Sequence, residues 1–493
     1  MRVRQSIFLL FCLSLFTALA DAQSEKTAND VLTQTINAVG GLDKLQSLKT
    51  LYTESVNTRQ EIGQSYLPSL NEDFARLPRE TFITETWVDF AQGKRYWLRK
   101  LDGTKYLNLT TPTWGLNVVG ELRNPLGANI VDLYQHRNRH QTFPGPLFAA
   151  LEKRNELRRL PDQRWQDQLH SVIAFNDLNR EVRLYVNQVT GLLAKVESDV
   201  TALVRGKVAL EYRYSKWKEF DGIKLPLRTE GLNTQNATSN WLIEDQLILV
   251  NQAEGNWFAE SEKEKPEKEK KDALARVVRD REAMNAVAAP LKTEKLGEGI
   301  FLIRGNINSL AVAMGEYAFV VEAPTGEARS QQVIAQVKEL LPNKQLIAVG
   351  VTHWHYDTIA GLRAYVAEGA RVAMSASYKD MFEKYLTSNH YDDALSKSKN
   401  KPQFLEIEKE RSISLGPRTI TAIEIPNAHA AGMLGLYLNQ EKLFFVGEAL
   451  PPGGAFTRAV LEALQKRKLE IKTLVSACTG VVALDQLQAV TTR

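Results

Sequence analysis

Residues 349–361 read V-G-V-T-H-W-H-Y-D-T-I-A-G and constrain the fold more than any other stretch of this chain. They close an apolar run, 346–351, that predicts a core strand. Beyond it His353, His355 and Asp357 stand at alternate positions. Alternate residues of an extended segment face the same side, so the three side chains converge on one point. A helical pattern follows at 359–367, so the chain must turn from strand to helix within a few residues. Imidazole nitrogen and carboxylate oxygen at the mouth of such a turn are ligands that zinc accepts. The same spacing also arises on ordinary surface turns, so the motif needs a second segment to become a site.

That segment is 420–450. An alternating run, 420–425, stops at Pro426, and His429 follows on a loop of small residues before a predicted strand at 435–438. A turn at 439–442 leads into a second strand, 443–446, which ends at Gly447-Glu448. The order of the pieces is His-X-His-X-Asp after one strand, a lone His in a small-residue loop, then Gly and an acid after another strand. This arrangement resembles the metallo-β-lactamase fold superfamily over the last two-fifths of the chain, from near Leu296. The resemblance implies an αββα sandwich over 294–493, with His353, His355 and His429 as the three-histidine set for one zinc ion.

The departures cluster on the family's second ion. Thr358 stands where the family carries another motif His, Glu448 where it carries Asp, and Cys478 where it carries a final His. Asp357, Glu448 and Cys478 are still zinc-compatible donors, so an altered second site stays open beside a single-ion site. Cys478 also reads as a small buried hydrophobe, and Glu448 as a solvated or salt-bridged carboxylate. Three imidazoles and a water leave one open position, the catalytic form of zinc, and give a water of pKa about 7. Asp357 would then orient that water or take its proton.

The N-terminus reads as an address. Met1-Arg2-Val3-Arg4 is basic, 7–20 is an apolar core, and Ala20-Asp21-Ala22 offers a cleavage site. These features predict a secretory signal peptide over 1–22, cut after Ala22, and a periplasmic or secreted protein. No other stretch is long and apolar enough to cross a bilayer. Of the two cysteines, Cys12 lies in the address, so Cys478 is left without an internal disulfide partner. A net charge of +4 on 493 residues gives no basis for a nucleic-acid partner.

Residues 28–252 predict a β-rich N-terminal domain. Helical patterns at 28–39 and 42–48 precede strand-like runs at 50–56, 81–89, 94–101 and 105–109. After a predicted helix at 147–159 come strand patterns at 170–176, 181–187, 193–199, 207–217 and 241–250. The stretches L-Y-V-N-Q-V-T-G-L-L-A-K-V-E and Y-S-K-W-K-E-F-D-G-I-K-L-P are similar to the curved half-barrel sheets of periplasmic lipoprotein-carrier proteins. That resemblance implies a concave face for a lipid-like ligand or a peptide. A purely structural sheet is the other reading. His136 and His140 have helix-face spacing in basic, polar surroundings and predict a solvated surface, while His170 and His390 have no convergent partner. The Glu/Lys run 260–272 reads as a solvated helix or linker, so 253–293 forms a charged linker and helix between domains.

The expectation is therefore an α+β two-domain protein. It is read as an exported zinc-dependent hydrolase that uses a zinc-bound hydroxide on a small ester-, thioester- or lactam-like substrate. The alternative is a fold that has lost its chemistry and serves as a periplasmic binding or carrier protein. Oligomeric state is not legible.

Overall fold

Period-two alternation dominates the first half of the chain, and it folds accordingly into sheet. The structure, a computed structural model, describes residues 26–70, 77, 79–101, 103–120, 122–234, 239–251, 267–285, 291–389 and 391–484. Segment 1–22, residues 260–266 of the charged run and His390 lie outside the described residues.

Among the described residues, thirteen strands between Thr50 and Val250 form one antiparallel sheet. It is built of two meanders joined where Thr50–Glu61 pairs with Arg79–Asp89 on one side and Ser239–Val250 on the other. Helices Ala28–Ala38 and Gly145–Glu152 cover part of one face. Val31, Leu32 and Leu147 pack there on Phe175, Leu184 and Leu225. Each fully buried Leu or Phe of this kind contributes about 1.5–3 kcal/mol. The hairpin at Asp221 and Gly222 places both residues at positive φ, 51° and 83°, which suits the twist of its flanking strands.

Two expectations for this half need correction. The helix expected at 147–159 ends at Glu152, and Arg158–Trp165 is instead a strand at the sheet edge. Its polar sequence R-R-L-P-D-Q-R-W hides it, because an edge strand faces water and needs no apolar face. The strand Ile223–Asn233 is obscured by Pro226, which precedes the residues paired with Ser239–Val250, beginning at Arg228.

The second half has four layers. A seven-stranded and a six-stranded sheet pack face to face through Leu302, Val312 and Phe319 on one side and Leu436, Phe445 and Val475 on the other. The outer face of the first sheet is covered by Glu327–Leu340 and Leu362–Ala367, through Val333, Val337 and Tyr365. Ala455–Lys466 covers the outer face of the second through Val460 and Leu464. Residues 397–410 carry the edge strand Phe404–Ile407, which pairs in parallel with Arg371–Ser375.

Between the halves, Glu267–Asn285 is helical. Its Val277 packs on Ala128 and Val131 of the first half, and Ala273, earlier on the same helix, is buried as well. No helix among the described residues is long and apolar enough to cross a membrane.

Candidate metal centre

The strand Gln345–Gly350 pairs in parallel on both sides, which fixes where its C-terminal end emerges. Residues 351–355 continue without regular structure into the short helix Tyr356–Ile359. Thr358 is buried at this turn, and its Oγ1 donates to the carbonyls of His353 at 3.2 Å and His355 at 2.9 Å. Thr358 therefore clamps the backbone that presents the two histidines. The Asn427 side chain does the same for His429, accepting from the backbone N–H of His429 at 2.7 Å and Ala430 at 2.9 Å. Leu434 N–H donates to Thr352 O at 2.7 Å, which ties the second segment to the first.

Four side chains meet here. His353 Nε2, His355 Nδ1 and His429 Nε2 are buried without a hydrogen-bond partner. The ligand atoms of these three histidines and Glu448 all lie within 4.8 Å of one another. Glu448 Oε1 stands 3.3 Å from both His353 Nε2 and His429 Nε2. That is long for a charge-assisted hydrogen bond, about 2.7–2.9 Å. It matches a tetrahedral edge, since two ligands about 2.0–2.1 Å from one ion stand about 3.3–3.4 Å apart. The donor set and its spacing thus fit a metal ion. Burial, then repulsion from His353 and His429, lowers His355 to about 3, so its ring is neutral at ordinary pH. Burial pushes the Glu448 carboxyl up, but His353 and His429 outweigh it and hold it well below the usual carboxylate range.

The second nitrogen of two rings is also accounted for. His353 Nδ1 lies 3.0 Å from Thr352 Oγ1, which in turn donates to Glu322 Oε1. Glu322 is wholly buried at φ 69°, and burial pushes its carboxyl up to about 8. His355 Nε2 lies 3.0 Å from the carbonyl of Ser65, on a segment of the first half. A ring N–H held by an acceptor fixes the tautomer that leaves the opposite nitrogen free for a metal.

Residues 62–70 wrap the turn at several further points. Tyr356 N–H donates to Gly63 O at 3.2 Å, and Tyr356 Oη to Ser69 O at 3.1 Å. Ala431 N–H donates to Tyr66 O at 2.8 Å. Gly63 has φ 76°, and a Cβ there would come 2.3 Å from the Tyr356 ring. Sequence reasoning missed Glu322, Thr352 and the 62–70 contacts. A lone acid closing the apolar strand sequence F-V-V-E was a signal for the first; nothing local marked the others.

The six residues singled out from the sequence separate into two groups. His353, His355, His429 and Glu448 come together, and Glu448 pairs with two of the histidines while its side chain stays 25% exposed. Asp357 is outside that four-atom cluster and accepts from Gln64 Nε2 at 3.2 Å. Cys478 is also outside it, and it is exposed, against the reading as a buried hydrophobe. Its sulfur lies 3.4 Å from Gly447 O and 3.9 Å from Glu448 Oε2. Partial burial of the sulfur, with the charges of Glu448 and Asp357, pushes the thiol up to about 12.

The solvated surface expected for His136 and His140 is also corrected. Both are buried, because the chain tightens into a wide helical turn, Arg137–Gln141, beneath the sheet. His140 Nε2 lies 2.7 Å from Asp177 Oδ2, which also accepts from Arg139 Nε at 2.8 Å. His170 is buried, with Nδ1 3.0 Å from Gln168 O.

No family model matches the chain, and no curated protein matches it. Among solved structures it is similar to DIM-1 metallo-β-lactamase, at 18% identity and TM-score 0.33, covering 41% of this chain and 95% of that one. A metallo-β-lactamase from Pontibacter korlensis aligns at 17% identity and TM-score 0.32, covering 41% of this chain and 100% of that one. The sec-alkylsulfatase Pisa1 from Pseudomonas sp. aligns at 15% identity and TM-score 0.33, covering 40% of each chain.

Proposed function

We propose that this chain is an exported zinc-dependent hydrolase of metallo-β-lactamase type, acting on a small ester-, thioester- or lactam-like substrate. The observation that carries the reading is the convergence of three unpartnered imidazole nitrogens and Glu448 within 4.8 Å of one another. His353, His355, His429 and Glu448 would hold the ion, which when bound supplies Lewis-acid polarisation and acidifies a coordinated water.

The remaining roles fall to the chain's own residues. Glu322 and Thr352 orient His353, and the Ser65 carbonyl orients His355. Glu448 and His429, with side chains 25% and 35% exposed, form the open side of the cluster where a substrate would approach, while His353 is wholly buried. Asp357, two residues beyond His355 and steered by Gln64, is the carboxylate placed to take a proton. Cys478 lies outside the four-atom cluster, so a single ion is the simpler reading.

A second reading is favoured by one observation: four protein donors is the closed form of a structural zinc site. Turnover separates the two. The purified protein, with and without zinc, is assayed on a p-nitrophenyl ester, an acyl thioester and a chromogenic lactam, beside Asp357→Asn. Zinc-dependent turnover that Asp357→Asn abolishes while keeping its metal supports the hydrolase. Full metal content with no turnover on any of the three sinks it and leaves a structural ion.

A further inference from the structure

Along the strand Thr50–Glu61 the covered side begins apolar at Leu51 and then turns polar at Thr53, Ser55 and Asn57. Neighbouring strands continue the polar stripe with Thr84, Thr86 and Arg95. Ser55, Asn57 and Thr84 are all buried, although nothing about a sheet packed on its own helices calls for hydroxyls and amides there. A buried face that breaks the apolar rule marks a functional feature more often than a packing one.

Between this stripe and the segment 137–143 lies a cavity of about 70 Å³, room for a small oxyanion or several waters. Two guanidinium groups line it, Arg95 at 8% exposure and Arg137 at 7%. Arg95 Nη1 donates to Asn138 Oδ1 at 3.1 Å and Thr142 Oγ1 at 3.2 Å. The Arg137 guanidinium lies over the rings of Tyr134 and Trp241, 5.4 and 5.3 Å from their centroids. Among the described residues neither arginine forms an ion pair with a carboxylate. Asp245 lines the same cavity, and its carboxylate accepts from Ser55 Oγ at 2.6 Å.

Arg95 Nε, Arg137 Nε and Trp241 Nε1 are buried with no acceptor. All three are donors, and two belong to cations. Two buried like charges without a counter-ion are costly to hold. We infer that this cavity binds an oxyanion, a carboxylate or phosphate group, through Arg95, Arg137 and Trp241. A guanidinium fork matches the paired oxygens of such a group, and a bound anion would supply an acceptor to these donors while cancelling charge. Phe143, Leu225 and Ile243 on the same wall leave an apolar side for the stem of an organic anion. The inference does not depend on the metal centre.

Trp97 and Trp241 line the cavity, so tryptophan fluorescence reports its occupancy. The full chain is titrated with sodium phosphate, sodium octanoate and neutral octanol, at ionic strength held constant with chloride. Arg137→Gln, Arg95→Lys and His353→Ala are measured alongside. A saturable response to phosphate or octanoate is expected, weakened roughly tenfold or more in Arg137→Gln and retained in His353→Ala. Arg95→Lys, which keeps the charge and loses the fork, is expected to weaken it less. A response to phosphate identifies the oxyanion alone as sufficient; a response to octanoate alone identifies an organic carboxylate that needs its stem. The melting temperature of Arg137→Gln is expected to stay level or rise, since one of two repelling buried cations is gone. The inference is overturned by no saturable response to either anion, by octanol binding as tightly as octanoate, or by loss of the response in His353→Ala. Unchanged binding in Arg137→Gln, or a fall in its melting temperature, overturns it as well.

Discussion

Two of the three imidazoles in the centre, His353 and His355, are oriented by what holds their other nitrogen. Thr352 accepts from His353 and passes the contact to Glu322, so Thr352→Val removes the orienting acceptor at nearly constant volume. Metal affinity, measured by competition with a chelator, is expected to fall roughly 10–100-fold. Unchanged affinity would mean that packing alone orients His353. Glu322 makes a separate prediction for the metal-free protein. Its carboxyl is raised from 4.5 to about 8 in the folded state, so the folded state binds the extra proton between those values. Its contribution is fully present below pH about 4.5 and is lost as pH rises through about 8. The loss is about 5 kcal/mol at most. Glu322→Gln keeps an acceptor for Thr352 and removes the proton, so urea unfolding from pH 5 to 8.5 should show a much smaller loss than wild type. Equal slopes in the two proteins would rule the assignment out. The histidines were legible because alternation on an extended segment is a local rule. Glu322 was not, because its partner Thr352 lies 30 residues away.

At the scale of elements, the segment 62–70 is the part of the first half that wraps the histidine turn of the second half. Gly63 cannot carry a side chain without striking the Tyr356 ring, and its φ of 76° disfavours one in any case. Gly63→Ala is expected to destabilise the protein by about 1–3 kcal/mol and to weaken metal binding, since Ser65 O would shift away from His355. Chemical unfolding and a chelator titration check both. A variant with lost stability and intact affinity would leave 62–70 a structural contact only. The strands that sequence patterns located include those with one wetter and one dry face, such as Leu193–Ala202. Among those missed, Arg158–Trp165 and Ile223–Asn233 are the polar edge and the strand that contains Pro226, and the short pair Gly115–Val119 and Leu122–Pro125 lies at the other edge. The buried pair His136 and His140 was misread because helical spacing in a basic sequence normally faces water. Here Asp177 and the sheet above them supply the burial.

Across the whole molecule, the four-layered second half carries the cluster, and the first half closes over it through 62–70. The helix Glu267–Asn285 packs Val277 on the first half. The order of strands and helices on either side of the metal turn was legible from periodicity. The contact between the halves was not, because Ser65 and His355 are 290 positions apart and no local pattern encodes their meeting. The central claim is that His353, His355, His429 and Glu448 hold one ion, and metal content per chain tests it most directly. The purified protein is measured after exposure to zinc, beside His353→Ala and Cys478→Ala. One zinc per chain is expected, lost in His353→Ala and kept in Cys478→Ala. A folded wild-type protein that retains no metal would contradict the claim, and two ions with one lost in Cys478→Ala would contradict the single-ion site.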